Sequence, residues 1–199
     1  MRGKSFVLVE AIHLGAPEQA DALLAPLRAL SPVMDTIQRT PTPALAHMHM
    51  DPEHPVPATG EGILLRKLPA EALDEVIRTA GAASSSPFVS LEIRQLGGEL
   101  GRAHPDNGAL AAMEGDYALY AVGIAPTPEA VARVKAHIEV VVDALRPWAA
   151  GQTYLNFAET RMHQAPLWPH EVYQRLREIK AAVDPGNVIR SNHPVPPAS

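Results

Sequence analysis

The sequence contains no cysteine among its 199 residues. That absence excludes disulfide bonds, thiol nucleophiles and metal sites built on thiolates. A basic patch is also missing, because the formal net charge is −5 and the 17 lysines and arginines are dispersed. This argues against a nucleic-acid partner. No apolar run approaches the ~20 residues that a membrane helix needs. We therefore expect a cytoplasmic protein that binds neither nucleic acid nor membranes.

The remaining composition is that of an ordinary globular domain. Hydrophobic residues make up 46% and charged residues 20% of the chain, a balance typical of soluble domains. A chain of this length buries a substantial core. We expect a single domain over residues 1–199.

The order of apolar patterns predicts an α+β fold. Successive strands occur without crossover helices between them, which favours an antiparallel β-sheet with helices packed on one face. Thr127 is a good helix N-cap, with Pro128 in the first turn. Strands are predicted at 6–12, 33–37, about 63–68, 88–94 and 116–124, and helices are predicted to begin near Pro17, Pro69, Thr127 and Pro169.

Three ordered motifs in the last third carry a more specific signal. They read TYLNF at 153–157, YQRLREIK at 173–180 and DPGNVIRSN at 184–192. This series resembles the C-terminal signature of FAD-linked oxidases of the berberine-bridge-enzyme type. The resemblance extends upstream to the sequence APLR at 25–28, followed by Asp35, and to LGGEL at 96–100.

The resemblance implies the substrate-side half of an FAD-linked oxidoreductase, which transfers a hydride from a small-molecule substrate to flavin. Nothing in the sequence matches the family's N-terminal FAD-binding domain, so we expect that domain to be absent. The missing half would be a separate domain or chain. The chain alone is expected to bind FAD weakly or not at all. The sequence does not identify its substrate.

The resemblance also assigns roles to three residues. Tyr154 matches the tyrosine of a Y-x-N segment and is the candidate catalytic base. A phenol has an ordinary pKa near 10, so a tyrosine base at neutral pH needs nearby positive charge or hydrogen bonds to the phenolate. Asn156 shares a side with Tyr154 if 153–157 is extended, and it would contact the flavin or fix the substrate. Asn187 would lie near the flavin or support the loop that does.

Simpler interpretations stand beside these. A lone tyrosine in a short strand is usually a core or interface residue, and the sequence DPGN at 184–187 is also a good turn and helix stop. His47, His49 and His54 lie in a proline-rich loop without a framework for metal, so no metal site is expected. Gly97-Gly98 lacks the features of a phosphate loop.

Two other functions remain open from the sequence. The domain would be a stand-alone module that has lost redox chemistry and binds a small apolar ligand or a partner protein. Alternatively, it would be a non-catalytic homodimer that covers the exposed face of its sheet with a second copy.

Overall fold

The computed structural model describes residues 4–49, 52–159 and 166–198. The chain divides into two compact units, one reaching to Pro55 and the other beginning at Val56. Over the described residues, the regular structure comprises four α-helices and three β-strands. They are α1 (Pro17–Arg28), β1 (Ala58–Leu65), α2 (Ala70–Ala80), β2 (Ser90–Gln95), β3 (Tyr117–Ile124), α3 (Pro128–Leu145) and α4 (His170–Val183).

The first unit contains α1 and irregular chain. Pro17 occupies the first turn of α1, as predicted. Arg28 at the end of α1 pairs with Asp21 at 3.0 Å and with Asp35 at 2.8 Å, which holds the segment after the helix against its last turn.

The strands predicted at 6–12 and 33–37 are wrong. Both segments lack regular structure, and apolar side chains within them are exposed, with Val7 at 95% and Val33 at 91%. An apolar pattern becomes a strand only where another strand accepts its backbone hydrogen bonds, and neither segment is paired among the described residues.

The second unit is built on a three-stranded antiparallel sheet with the order β1-β3-β2. Helices α2 and α3 pack together, and α3 packs on the sheet. This confirms the predicted α+β class. Thr127 caps α3, since its hydroxyl accepts a hydrogen bond from the Ala130 N–H at 3.2 Å. The buried core is apolar and comprises Leu65, Ala72, Leu119, Ala121, Val134, Ile138, Val141, Val142 and Leu145.

Strand alternation gives the sheet two different faces. Leu119 of β3 lies in the core with the helices, so the neighbouring residue Tyr120 belongs to the opposite face. The register sets Tyr120 beside Gly62 of β1 and Glu92 of β2. This second face carries the candidate site. Among the described residues, no helix is long and apolar enough to cross a membrane.

Candidate functional site

Two glycines of β1 allow aromatic side chains to lie against the second face of the sheet. A Cβ atom on Gly60 would collide with the Tyr120 hydroxyl, and one on Gly62 would come within 2.5 Å of the Phe157 Cβ atom. Glycine within a strand often marks a close approach of another group. Here it allows the rings of Tyr120 and Phe157 to lie directly on the strand.

The segment that carries Phe157 is a turn and not a strand. Residues Leu155–Phe157 form a 3₁₀ helix, and the Phe157 N–H donates to the Tyr154 carbonyl at 3.0 Å. The extended conformation predicted for 153–157 is therefore wrong, because this local hydrogen bond closes the chain on itself. The argument that Tyr154 and Asn156 share a side fails with it.

The turn brings together residues three apart in the sequence. The rings of Tyr154 and Phe157 meet edge to face with centroids 5.1 Å apart, and Phe157 also contacts Tyr120 at 4.8 Å. Asn156 is exposed. The structure thus joins Tyr154 to Tyr120 through Phe157, while Asn156 as a flavin or substrate contact stays a prediction.

A pocket opens beside this aromatic cluster. Its volume is about 130 Å³, and it lies where the end of β2, the 3₁₀ helix Gly98–Gly101 and Tyr154 converge. The guanidinium of Arg94 lies over the Phe157 ring at 5.2 Å and bonds the Glu92 carboxylate, with Nη2 at 3.2 Å from Oε2. The residues that line the pocket are Arg94, Leu96, Leu100, Met113, Ala118 and Tyr154.

The two tyrosines of the cluster differ in their surroundings. The Tyr120 hydroxyl donates to the carboxylate of Glu159, which also accepts the Gly60 N–H at 2.9 Å. Burial, and then the neighbouring Glu159 carboxylate, raise the pKa of Tyr120, so this phenol remains protonated at neutral pH. The Tyr154 hydroxyl has no hydrogen bond among the described residues, and Tyr154 lines the pocket. Tyr120 is thus a fixed donor, whereas Tyr154 is available to a ligand.

Asn187 lies in the turn that follows α4. Its backbone is left-handed, with φ at 49°, and its N–H donates to the Asp184 carbonyl at 3.0 Å. This confirms the helix stop predicted for 184–187, since α4 ends at Val183. The Asn187 side chain is exposed and makes no hydrogen bond to the described part of the chain. A contact between Asn187 and flavin stays a prediction.

The histidines of the proline-rich loop do not form a metal site within the described residues. His49 pairs with Glu10 of the same unit at 2.7 Å between Nδ1 and Oε2. No group of three or more metal-ligating side chains comes together in 4–49, 52–159 and 166–198.

Sequence reasoning missed Tyr120, Glu159 and Arg94. A weak signal was present for the first of these, because the strand glycines Gly60 and Gly62 are typical of a position that another group approaches closely. No comparable signal existed for Glu159, whose bond to Gly60 spans 99 positions.

Comparison with known families gives a match in the last part of the chain. The sequence profile described as "Berberine and berberine like" matches residues 153–196. These residues form a berberine-like C-terminal segment. The resemblance predicted from TYLNF, YQRLREIK and DPGNVIRSN is confirmed, and all three motifs lie within the match. No curated protein matches the sequence.

Solved structures share the fold at low sequence identity. BBE-like 1 of Physcomitrella patens superimposes with a TM-score of 0.67 at 16% identity, covering 93% of this chain and 43% of that one. An aclacinomycin oxidoreductase gives 0.66 at 19% identity, covering 92% and 43%. The grass pollen protein Phl p 4, described as a glucose dehydrogenase, gives 0.54 at 15% identity, covering 71% and 33%. The chain therefore shares its fold with part of each of these structures and spans less than half of their length.

Proposed function

We propose that this chain is the substrate-side wall of an FAD-linked oxidoreductase that transfers a hydride from a small-molecule substrate to flavin. One observation carries the proposal. Two phenols of different character, Tyr120 and Tyr154, flank Phe157 beside an open pocket on the sheet face away from the α2–α3 layer. The berberine-like segment at 153–196 supports the reaction class.

The residues of the pocket fit one wall of a flavin site. Tyr154 and Arg94 line it, and the positive charge of Arg94 suits a step in which negative charge develops on a substrate oxygen. The pocket, at about 130 Å³, is smaller than the roughly 300–1,000 Å³ typical of ligand sites. Gly97-Gly98 opens onto a 3₁₀ helix of four residues, which is not the long helix N-terminus that commonly binds pyrophosphate.

In this proposal, a bound FAD would supply the acceptor for the hydride that leaves the substrate carbon. Tyr154, acting as the phenolate, would accept the proton of the substrate hydroxyl, and the loss of this proton together with the hydride would convert an alcohol into a carbonyl compound. Arg94 stabilises the negative charge on oxygen during that proton transfer. Tyr120 stays protonated and, through Phe157, keeps Tyr154 in place. Asn156 and Asn187 would contribute the contacts to the cofactor.

A second component would supply the rest of the site. The chain spans 43% of the length of BBE-like 1, and its pocket is open on one side. We propose that an FAD-binding domain, present as a separate chain or as further sequence, covers it. FAD that binds to this wall alone would lose its translational and rotational entropy and gain only a few contacts in return. We therefore expect the chain alone to retain little flavin.

The test uses the chain alone and a hybrid. The purified chain is mixed with FAD and desalted, and its visible spectrum is recorded; little flavin should remain. In the hybrid, this chain replaces the matched 43% of BBE-like 1, and flavin bleaching by small alcohols is followed without oxygen. Tyr154→Phe should slow bleaching by about 10²-fold or more, the range of general base catalysis. The matched control is Tyr173→Phe, on α4.

Two results would separate this function from its alternative. A hybrid that retains flavin and bleaches equally fast with Tyr154→Phe would contradict the proposed base. A chain that binds small ligands yet gives no bleaching in any flavin-loaded hybrid would favour the stand-alone binding module. Sedimentation of the chain alone would reveal a homodimer that covers the open sheet face.

A further inference from the structure

The pocket beside Tyr154 is assembled from several separate parts of the chain. Leu96 directly follows β2, the next 3₁₀ helix supplies Leu100, and the segment before β3 supplies Met113. Backbone hydrogen bonds join these parts, from the Met113 N–H to the Leu100 carbonyl at 2.8 Å and from the Leu96 N–H to the Asp116 carbonyl at 2.7 Å. The apolar wall is therefore tied to the sheet.

The polar groups of this pocket are few. Of its six lining residues, Arg94 and Tyr154 alone have polar side chains, and the guanidinium already bonds the Glu92 carboxylate. A sugar ring brings several hydroxyls, and a hydroxyl that loses water without gaining a hydrogen-bond partner is unfavourable. The pocket therefore disfavours a sugar.

The size of the pocket points to a particular kind of group. A cavity of about 150 Å³ lined by leucine, isoleucine and phenylalanine binds benzene, and this pocket has about 130 Å³ lined chiefly by Leu96, Leu100 and Met113. We propose that it binds a single aromatic ring or a branched aliphatic group of that size, carried by a small alcohol whose hydroxyl lies at Tyr154. The oxidation of this alcohol rests on the proposed function, whereas its binding in the pocket does not.

Binding is tested on the 199-residue chain without flavin. Methionine methyl groups are labelled with ¹³C, the Met113 signal is assigned with Met113→Leu, and benzyl alcohol and glucose are titrated separately. Benzyl alcohol should shift the Met113 signal saturably, and glucose should leave it unchanged. Leu100→Trp fills the pocket and should weaken binding at least about tenfold. Leu100 is 56% exposed, so this change preserves the fold.

The matched control is Val140→Trp on α3, which is 48% exposed and away from the pocket lining; it should leave the titration unaltered. The inference would be overturned if glucose shifted the Met113 signal or if benzyl alcohol did not. It would also be overturned if Leu100→Trp bound benzyl alcohol as tightly as the wild type. Because flavin is absent, these outcomes are independent of the bleaching experiment. Failure of hydride transfer in the hybrid, with benzyl alcohol binding intact, would count against the proposed function alone.

Discussion

The hydroxyl of Tyr120 donates a hydrogen bond to the carboxylate of Glu159, 39 positions further along the chain. The same carboxylate accepts the Gly60 N–H of β1 at 2.9 Å. The pair therefore fastens the segment after the 3₁₀ helix Leu155–Phe157 to the sheet. Since Phe157 contacts Tyr120 and Tyr154, this fastening also positions the candidate base.

Removing the Tyr120 hydroxyl should destabilise the protein in a pH-dependent way. At pH 8, Tyr120→Phe should lower the free energy of unfolding by about 1 kcal/mol, the usual net value of a hydrogen bond. The pKa of Tyr120 is raised in the folded state. Its contribution is therefore complete below the unfolded value near 10 and is lost as the pH rises above it.

The measurement for Tyr120→Phe is urea unfolding at pH 8, 10 and 11. The difference in the free energy of unfolding between wild type and variant should be smaller at pH 10 and 11 than at pH 8. Tyr173→Phe is the control, because the Tyr173 ring stacks on Trp168 at 6.1 Å and its hydroxyl has no hydrogen bond to the described residues. A difference that is constant with pH would contradict the assigned role of Tyr120.

A methyl group on β1 should displace the aromatic cluster. The added Cβ of Gly62→Ala would lie 2.5 Å from the Phe157 Cβ and 2.8 Å from the Leu119 carbonyl oxygen. Overpacking of this kind costs roughly 1–3 kcal/mol, and we expect thermal unfolding to reveal it. Gly108→Ala is the control, since an added Cβ there meets nothing within 4 Å; it should be neutral. Equal melting temperatures for the two variants would refute the close approach.

Much of the second unit follows from the sequence. Period-two alternation located β2, and the Thr127-Pro128 pair located the start of α3, because these signals are local. The strands predicted at 6–12 and 33–37 failed because strand formation depends on a partner, which a pattern within the segment does not reveal.

The candidate site was only half predictable for a related reason. Tyr154 was identified from a motif of five residues, whereas Arg94, Tyr120 and Glu159 reach it by sheet register and long-range contacts. The extended conformation assigned to 153–157 failed because a single hydrogen bond between residues three apart decides between a strand and a 3₁₀ turn.

The turn after α4 depends on one buried carboxylate. Asp184 is 8% exposed, accepts the N–H groups of Val188 and Ile189 at 2.8 and 3.0 Å, and bonds the Lys180 ammonium. The hydrogen bond from Lys180 comes first among the causes that lower the pKa of Asp184. Its stabilisation is thus complete above the unfolded value near 4 and is lost as the pH falls through the lower folded value.

Asp184→Asn should therefore lower the melting temperature at pH 7, and the deficit should narrow at pH 3. Circular dichroism melts at the two pH values measure this. Asp143→Asn is the control, because Asp143 pairs with Arg146 at the surface with 66% of its side chain exposed, where ion pairs contribute little. A deficit that widens on acidification would show that the Asp184 carboxylate is not ionised in the folded state.

Asn187 offers a way to separate a role in the turn from a role in the cofactor site. Its φ of 49° suits asparagine and glycine, whereas alanine in this region costs roughly 1–2 kcal/mol. Asn187→Ala should lower the melting temperature of the chain, and Asn187→Gly should not. If the exposed amide contacts flavin, the two variants should lower flavin retention in the hybrid equally. Full retention with Asn187→Gly would assign the residue to the turn alone, because glycine preserves the backbone and removes only the amide.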